Sequence, residues 1–180
     1  MSEEDILWFA MSATFGRELK AKDFLEKNDV ECFVPMRYEM QKNKKDEQKR
    51  QLVSAINNLI FVHTTRNRIQ DLKSQVQYLH YLVHTIEGRN IPIVVPEHQM
   101  TQFITVCNTY NEKLAFLSPD EVNLDKGTRI RIVGGALDGI EGTFVKVARG
   151  RKKKIVVMVE GIIGVAMTEI TDGFIQVVET

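Results

Sequence analysis

The run GGALDGIEGTF, residues 134–144, is the part of the sequence whose composition could hold a phosphate group. A phosphate loop needs the spacing G-x-x-x-x-G-K-S/T or G-x-G-x-x-G, between a strand and a helix whose N-terminus faces the anion. Here Gly135, Gly139 and Gly142 have another spacing, and the TFVKVA that follows alternates as a strand does. Asp138-Gly139 is a common hairpin turn pair. The run therefore predicts tight turns between strands and not a nucleotide site.

Histidines, serines and carboxylates lack the spacing of a catalytic or metal site. His80 and His84 would share one face of a strand, but a metal site needs further ligands, and no Cys or carboxylate stands at a supporting spacing. No serine lies in a G-x-S-x-G context, and no two carboxylates form a recognisable acid–base couple. We therefore expect a protein that is not an enzyme and needs neither cofactor nor metal.

Composition describes an ordinary globular chain. Its 180 residues, 43% of them hydrophobic, suffice for one mid-sized domain or two small ones. Lysine and arginine (24) balance aspartate and glutamate (24), which argues against general coating of nucleic acid but permits a local basic patch. The apolar runs are too short to cross a membrane, and the acidic start MSEEDILWF is unlike a signal peptide. We expect a cytoplasmic monomer in which Cys32 and Cys107 are free thiols.

Residues 1–117 alternate between strand and helix patterns. The predicted strands are 8–13, 31–40 and 57–65 with a hairpin around 87–90, and the predicted helices are 15–28, 67–75 and 97–108. Thr14 would cap the first helix, and Asn28 would end it in a left-handed conformation. The pattern predicts an α+β domain, a sheet with helices laid against it.

The sequence pattern changes at SPDEVN, residues 118–123, where a polar segment with a proline ends the helical patterns. Five short strands follow in fewer than 60 residues, separated by glycine, Asp-Gly or charged turns. Such a series is typical of a small all-β barrel. We therefore predict a first domain at 1–117, a linker at 118–123 and a barrel at 124–180.

Two of these segments carry a resemblance to a known family. RIVGGALDGIEGTFVKV resembles the KOW motif of the SH3-like barrels in transcription elongation factors and some ribosomal proteins. WFAMSATFGRE resembles the opening strand and helix of the NGN domain of NusG, whose sheet is mostly antiparallel with flanking helices. GRELKAKDFLEKNDVECFVPMRY and NLIFVHTT are similar to UpxY-type NusG paralogues, which act as antiterminators of long polysaccharide-biosynthesis operons in Bacteroides-like bacteria.

The resemblance implies two contact surfaces on the first domain. One is an apolar depression that receives the clamp helices of RNA polymerase, lined by Phe15, Leu59, Phe61 and Tyr81. The alternative for these side chains is the ordinary core, above all for Phe61. The other surface is the solvent-exposed face of the first helix, which in NusG relatives lies near the non-template DNA strand. Arg17 and Lys20 are the candidates for DNA contact there.

Two basic stretches could either bind a partner or be ordinary solvent-exposed segments. In RGRKKK, residues 149–154, the side chains of Arg151, Lys152 and Lys153 could contact RNA backbone or an acidic partner. They could equally form an exposed hairpin that protects a sheet edge. The charged tip at 41–51 could contact nucleic acid or be a solvated loop.

Two departures from the NusG pattern bear on function. Asn57-Asn58-Leu59 stands where NusG proteins usually carry Pro-Gly-Tyr, and Ile162-Ile163 stands where housekeeping NusG places the phenylalanine that docks Rho or a ribosomal protein. We therefore expect a specialised antiterminator. A general elongation factor that recruits Rho or a ribosome, and an RNA-binding or ribosome-associated module that uses the KOW barrel, are the alternatives. The barrel could also receive another regulator, and an exposed Ile162-Ile163 pair could still form a small hot spot in this partner-binding loop.

Overall fold

The structure is a computed structural model, and it describes residues 4–42, 48–109, 114–117, 127–146, 153–159, 162–167 and 174–178. Contacts divide the chain into two compact units, Met1–Glu97 and His98–Thr180. Among the described residues, no helix has both the length and the apolar character that crossing a bilayer requires. Each unit is described by itself below.

The first unit is built on an antiparallel sheet of five strands, ordered β2-β5-β1-β6 with β9 also paired to β1. Its elements are β1 Leu7–Ala13, α1 Glu18–Glu26, β2 Glu31–Phe33, β3 Met36–Lys42, β4 Gln48–Ser54, β5 Leu59–Thr64, α2 Arg66–Gln75, β6 Leu79–Tyr81, β7 Val83–Ile86, β8 Arg89–Pro92 and β9 Val94–Val95. The pairs β3–β4 and β7–β8 form separate two-stranded sheets. The prediction of an α+β fold with an antiparallel sheet is confirmed.

The register of the central strands assigns each side chain to one of two faces. Met11 pairs with Ile60 on one side and with Tyr81 on the other, whereas Ala10 pairs with Phe61. Directly paired residues share a face, and successive residues alternate between faces. Tyr81 therefore lies on the face of Met11 and Ile60, and Phe61 lies on the opposite face.

The face that carries Met11 forms the main core of the first unit. Phe9, Met11, Ile60 and Val62 cluster there with Ala21 and Leu25 of α1 and with Ile69 and Leu72 of α2. Fully burying one such large aliphatic side chain contributes about 1.5–3 kcal/mol. Burial at Glu18, Ala21 and Leu25 follows the i, i+3, i+7 spacing of one helical face. The hydrophobic effect thus fixes both helices on this face.

The ends of α1 differ from the prediction. Arg17 and not Thr14 precedes the first helical residue, and the Thr14 hydroxyl donates to the Tyr78 carbonyl oxygen at 3.4 Å. At the other end Asp29, with φ 57°, takes the left-handed conformation predicted for Asn28. The helix begins later than predicted because Phe15 and Gly16 are both left-handed, with φ 65° each, so the chain turns before it enters the helix.

The predicted strand 31–40 is divided into β2 and β3 at Val34-Pro35. Proline has no N–H to give to a ladder, so pairing changes at this position. β2 joins the main sheet, while β3 pairs with β4 from Met36 opposite Ser54 to Lys42 opposite Gln48. The charged tip at 41–51 is predicted to be a loop, but residues 41–42 belong to β3 and residues 48–51 belong to β4, so the prediction is corrected there. Residues 43–47 lie outside the described residues.

The second unit contains an antiparallel sheet of six strands, ordered β10-β14-β13-β12-β11-β15. Its elements are α3 Glu97–Cys107, which begins at the last residue of the first unit, then β10 Ala115–Leu117, β11 Thr128–Val133, a single 3-10 turn Gly135–Leu137, β12 Glu141–Lys146, β13 Lys153–Val159, β14 Ile163–Met167 and β15 Phe174–Val177. The order of the described strands is an open path, so the closed SH3-like barrel stays a prediction.

Two observations bear on the predicted domain limits. β10 pairs with β14 in the second sheet, although the sequence places residues up to 117 in the first domain. Ala115–Leu117 is a short apolar segment, and its pairing with β14 gives its backbone N–H and C=O groups partners. The predicted linker at 118–123 lies outside the described residues, and the limits as a whole stay a prediction.

The glycine run forms turns. Gly139, with φ 79°, donates its N–H to the Ile132 carbonyl oxygen at 2.8 Å and so closes the connection between β11 and β12. At Gly142 a Cβ would lie 2.9 Å from the carbonyl oxygen of Val156, so a side chain has no room there. The interpretation of the run as tight turns is confirmed.

Candidate functional site

The loop between β1 and α1 presents an exposed aromatic ring. Phe15 is 84% exposed and has a left-handed backbone, with φ 65°. That conformation costs a residue other than glycine about 1–3 kcal/mol and persists only where the surroundings enforce it. A large apolar side chain held in solvent by a strained backbone is a candidate contact for a partner.

Asn58, which precedes β5, is the residue that holds this loop. Its side-chain Oδ1 accepts the backbone N–H of Gly16 at 2.8 Å, and its carbonyl oxygen accepts the backbone N–H of Ala13 at 2.7 Å. Asn58 is itself left-handed, with φ 67°. Asparagine tolerates this conformation better than most residues, which explains how it can stand at the position where the resemblance places a glycine.

Glu18, the first residue of α1, lies beneath the loop and is 4% exposed. Its Oε2 accepts the backbone N–H of Asn58 at 3.1 Å, and its Oε1 accepts from the hydroxyl of Ser54. A buried carboxylate is tolerated only where hydrogen bonds replace its lost hydration. Glu18 thus joins the start of α1 to the segment that leads into β5.

Two cations surround the aromatic side chains at this site. The guanidinium carbon of Arg17 lies 5.4 Å from the ring centroid of Phe15 and 5.4 Å from that of Tyr78. The ammonium of Lys20 lies 5.5 Å from the centroid of Tyr78. Cations at this distance from a ring face are attracted by its quadrupole. The loop therefore presents positive charge beside an exposed ring, a combination suited to phosphate contact and base stacking.

The structure separates the four residues predicted to line one apolar depression. Phe61 is fully buried and Leu59 is buried, both on the sheet face opposite Tyr81. Phe15 is in the β1–α1 loop. The expectation of one exposed hollow at Leu59 and Phe61 is corrected, because Phe61 is fully buried and Leu59 is only 6% exposed. The sequence missed this because β5 is apolar at consecutive positions, which hides the alternation of its two faces.

Tyr81 lies against the main core with one polar group unsatisfied. Its ring packs at 5.6 Å from that of Phe9, and the Lys73 ammonium lies 4.1 Å from its centroid. Its buried hydroxyl has no hydrogen-bond partner among the described residues. Burial raises the pKa of Tyr81 and lowers the pKa of Lys73. Tyr81 therefore belongs to the packing of α2 on the sheet.

The remaining predicted contact residues lie in the second unit or outside the described part. Arg151 and Lys152 are outside the described residues, and Lys153 begins β13 with its side chain outside them. Ile162 is half-buried in a turn, and Ile163 is buried in β14. The expected exposed Ile162-Ile163 pair is thus corrected to a single half-buried side chain. β14 is buried at each of its five positions, which accounts for Ile163.

His63 forms a cluster that the sequence did not indicate. Its imidazole stacks on the Trp8 indole, its Nδ1 lies 2.7 Å from a carboxylate oxygen of Glu31, and its Nε2 lies 3.5 Å from one of Glu97. Among the described residues no group of three or more His, Cys, Asp and Glu side chains could hold a metal ion. The register that pairs Trp8 with His63 joins strands far apart in the sequence, so no local signal marks this pair.

Comparison with known proteins identifies the family. The family model described as "Transcription termination factor nusG" matches residues 7–104, more than half of the chain and nearly all of the first unit. The chain belongs to the NusG family. It is therefore a NusG-family transcription factor, and Phe15, Glu18 and Asn58 lie inside the matched segment.

The chain is also similar to a solved structure titled "Domain interaction in Thermotoga maritima NusG". The two share 18% sequence identity over 92% of this chain and 95% of that chain, with a TM-score of 0.45. No curated protein sequence matches the chain. Membership of the NusG family therefore rests on the family model.

Proposed function

We propose that this NusG-family protein is a cytoplasmic elongation regulator that binds RNA polymerase and suppresses pausing or termination in long polysaccharide-biosynthesis operons. The observation that carries the proposal is the family match over residues 7–104. The assignment to polysaccharide operons rests on the similarity of GRELKAKDFLEKNDVECFVPMRY and NLIFVHTT to UpxY-type paralogues.

The proposed polymerase contact is centred on Phe15. Of the four residues predicted for this role, Phe15 alone is mainly exposed, whereas Leu59 and Phe61 support the sheet from its interior. An exposed aromatic ring that enters a pocket on a partner is a typical hot spot, worth about 2 kcal/mol or more when truncated. Leu19, the second residue of α1, is also exposed, at 43%.

Arg17 and Lys20 are the proposed contacts to the non-template DNA strand. Both are exposed, and the carboxylate of the intervening Glu18 is buried and hydrogen-bonded, so it does not face the same solvent. Neutralising phosphates releases counterions from the nucleic acid, which gives affinity without reading sequence. Polymerase and DNA contacts would thus lie side by side at one end of α1.

The mechanism is a population shift without chemistry, cofactor or metal. A regulator that binds the closed clamp of the polymerase more tightly than the open clamp disfavours the paused, open state. A differential affinity of about 1–3 kcal/mol changes the occupancy of that state roughly 5–150-fold. The protein needs only a fixed shape that matches one of the two clamp states.

Binding to purified core polymerase tests the proposal directly. We expect the full chain to be retained with the polymerase in a pulldown, the Phe15→Ala variant to be weakened, and Ile86→Ala to bind as the parent chain. Ile86 is a suitable control because it is 53% exposed on the β7–β8 hairpin. Failure of the parent chain to bind, with a NusG protein bound in parallel, would refute the proposal.

Two other functions remain candidates, each with its own observation. The family description as a transcription termination factor favours a general elongation factor that recruits Rho or a ribosome. The stretch RGRKKK favours an RNA-binding or ribosome-associated KOW module. Sequencing of nascent transcripts after deletion separates the antiterminator from the general factor, because effects confined to one long operon indicate the first and genome-wide effects indicate the second.

A further inference from the structure

We propose that Glu18 is a positioning residue that acts through Asn58 to hold Phe15 and Arg17 in one fixed arrangement. The inference rests on the proposed function, in which these two side chains contact the polymerase and DNA. It adds that the arrangement of the contacts is set by a buried carboxylate that touches neither partner.

The path from Glu18 to Phe15 consists of two hydrogen bonds in series. Glu18 accepts the backbone N–H of Asn58 at 3.1 Å, and the side chain of Asn58 accepts the backbone N–H of Gly16 at 2.8 Å. Gly16 directly follows Phe15 and precedes Arg17, so its peptide group sets the direction in which both side chains leave the loop. Ser54 fixes the second oxygen of Glu18 and so limits its rotation.

The backbone conformations explain why such a restraint is needed. Phe15, Gly16 and Asn58 all have φ between 65° and 67°, in the left-handed region. Phenylalanine is disfavoured there, and without hydrogen bonds the loop would relax to the ordinary extended or helical region. Relaxation would turn the Phe15 ring away from Arg17, whose guanidinium carbon now lies 5.4 Å from it.

Three substitutions separate positioning from folding. Glu18→Ala removes both acceptors and carries the greatest risk of misfolding. Glu18→Gln can keep both hydrogen bonds, since its amide oxygen can accept from Asn58 and its amide nitrogen can donate to the Ser54 hydroxyl. Asn58→Gly keeps the left-handed backbone, because glycine adopts it freely, and removes only the acceptor for Gly16.

Affinity of the full chain for core polymerase is the first measurement. We expect Glu18→Ala and Asn58→Gly each to weaken binding about tenfold, which corresponds to about 1.4 kcal/mol, and Glu18→Gln to bind as the parent. The same Asn58→Gly change in a Phe15→Ala background should cost nothing further, because Phe15 is gone and core polymerase contains no DNA for Arg17 to contact. An equal loss in both backgrounds would show a general structural role and overturn the proposal.

Hydrogen exchange of the Gly16 amide in the free protein is the second measurement, and it needs no partner. We expect faster exchange in Asn58→Gly than in the parent, with the amides of β1 and β5 unchanged. Unchanged exchange at Gly16 overturns the positioning role even if the chain binds polymerase. Faster exchange with unchanged polymerase affinity also overturns the positioning role, whereas the proposed contact at Phe15 is judged by the Phe15→Ala variant.

Discussion

The indole ring of Trp8 lies flat on the imidazole ring of His63, with 4.5 Å between the ring centroids and 4° between the planes. The two residues are directly paired between β1 and β5, on the sheet face opposite Met11. The pairing places a polar ring against a residue that is 3% exposed. The stack therefore joins the two central strands at a half-buried histidine whose ring also contacts the carboxylate of Glu31.

Loss of this stack should destabilise the first unit. We expect His63→Ala to lower the free energy of unfolding by about 1–2 kcal/mol, because the ring stacking and the hydrogen bond to Glu31 are removed. Trp8 is the only tryptophan, so its fluorescence during urea denaturation reports this unit. His84→Ala on the exposed β7–β8 hairpin is the control, and an equal effect of both changes would contradict the prediction.

Phe61 and Phe15 should differ sharply in what their removal changes. Phe61→Ala leaves a cavity in the interior and should cost about 3–5 kcal/mol of stability, whereas Phe15→Ala should stay within about 0.5 kcal/mol. Urea denaturation measures both. The milder Phe61→Leu should retain polymerase binding. If it stays folded and loses binding, Phe61 contacts the partner despite its burial.

Salt dependence should reveal the cations of the β1–α1 loop. Neutralising Arg17 and Lys20 together to glutamine should reduce the slope of log affinity for single-stranded DNA against log salt by about 1.4, at about 0.7 for each phosphate that is no longer neutralised. Fluorescence anisotropy at several salt concentrations measures the slope. Lys27→Gln, an exposed lysine at the other end of α1, is the matched control, and a slope that falls equally there would remove the assignment.

The strands could be predicted from the sequence because their signal is local. β1, β5 and β11 follow from runs of apolar or alternating residues, and the turns of the glycine run follow from Asp138-Gly139. The site could not be assembled in this way. Asn58 holds Gly16 across 42 positions of the chain, and the continuous apolar run of β5 gives no indication of which face Phe61 occupies.

The two cysteines should be slow to react. Burial raises the pKa of Cys32 from its ordinary 9.0 to about 11 and raises the pKa of Cys107 further still. At pH 8 we expect Cys32 to react with a disulfide reagent on the order of a hundredfold more slowly than a free thiol. Cys32→Ser identifies the signal of Cys107, and fast modification of Cys32 in the folded protein would contradict its burial.

The same shift gives stability a defined pH dependence. The folded state holds the Cys32 proton more tightly than the unfolded state does. The protonated thiol therefore makes its full contribution to the free energy of unfolding below about pH 9, and this contribution is lost as pH rises towards 11. Urea denaturation at pH 8 and pH 10.5 should show a larger decrease in the parent chain than in Cys32→Ser. Equal decreases would mean that the thiol titrates alike in both states.

Gly142 should be the most sensitive glycine of the second sheet to a methyl group. The added carbon in Gly142→Ala would lie 2.9 Å from the backbone oxygen of Val156, which the β12–β13 pairing holds in place. We expect a loss of about 1–3 kcal/mol, measured by thermal unfolding with circular dichroism. In Gly164→Ala the nearest atom is the sulfur of Met158, at 2.5 Å, on a flexible side chain that can move. Gly164→Ala should therefore cost less, and the reverse order would show that the β12–β13 backbone gives way more easily than the Met158 side chain.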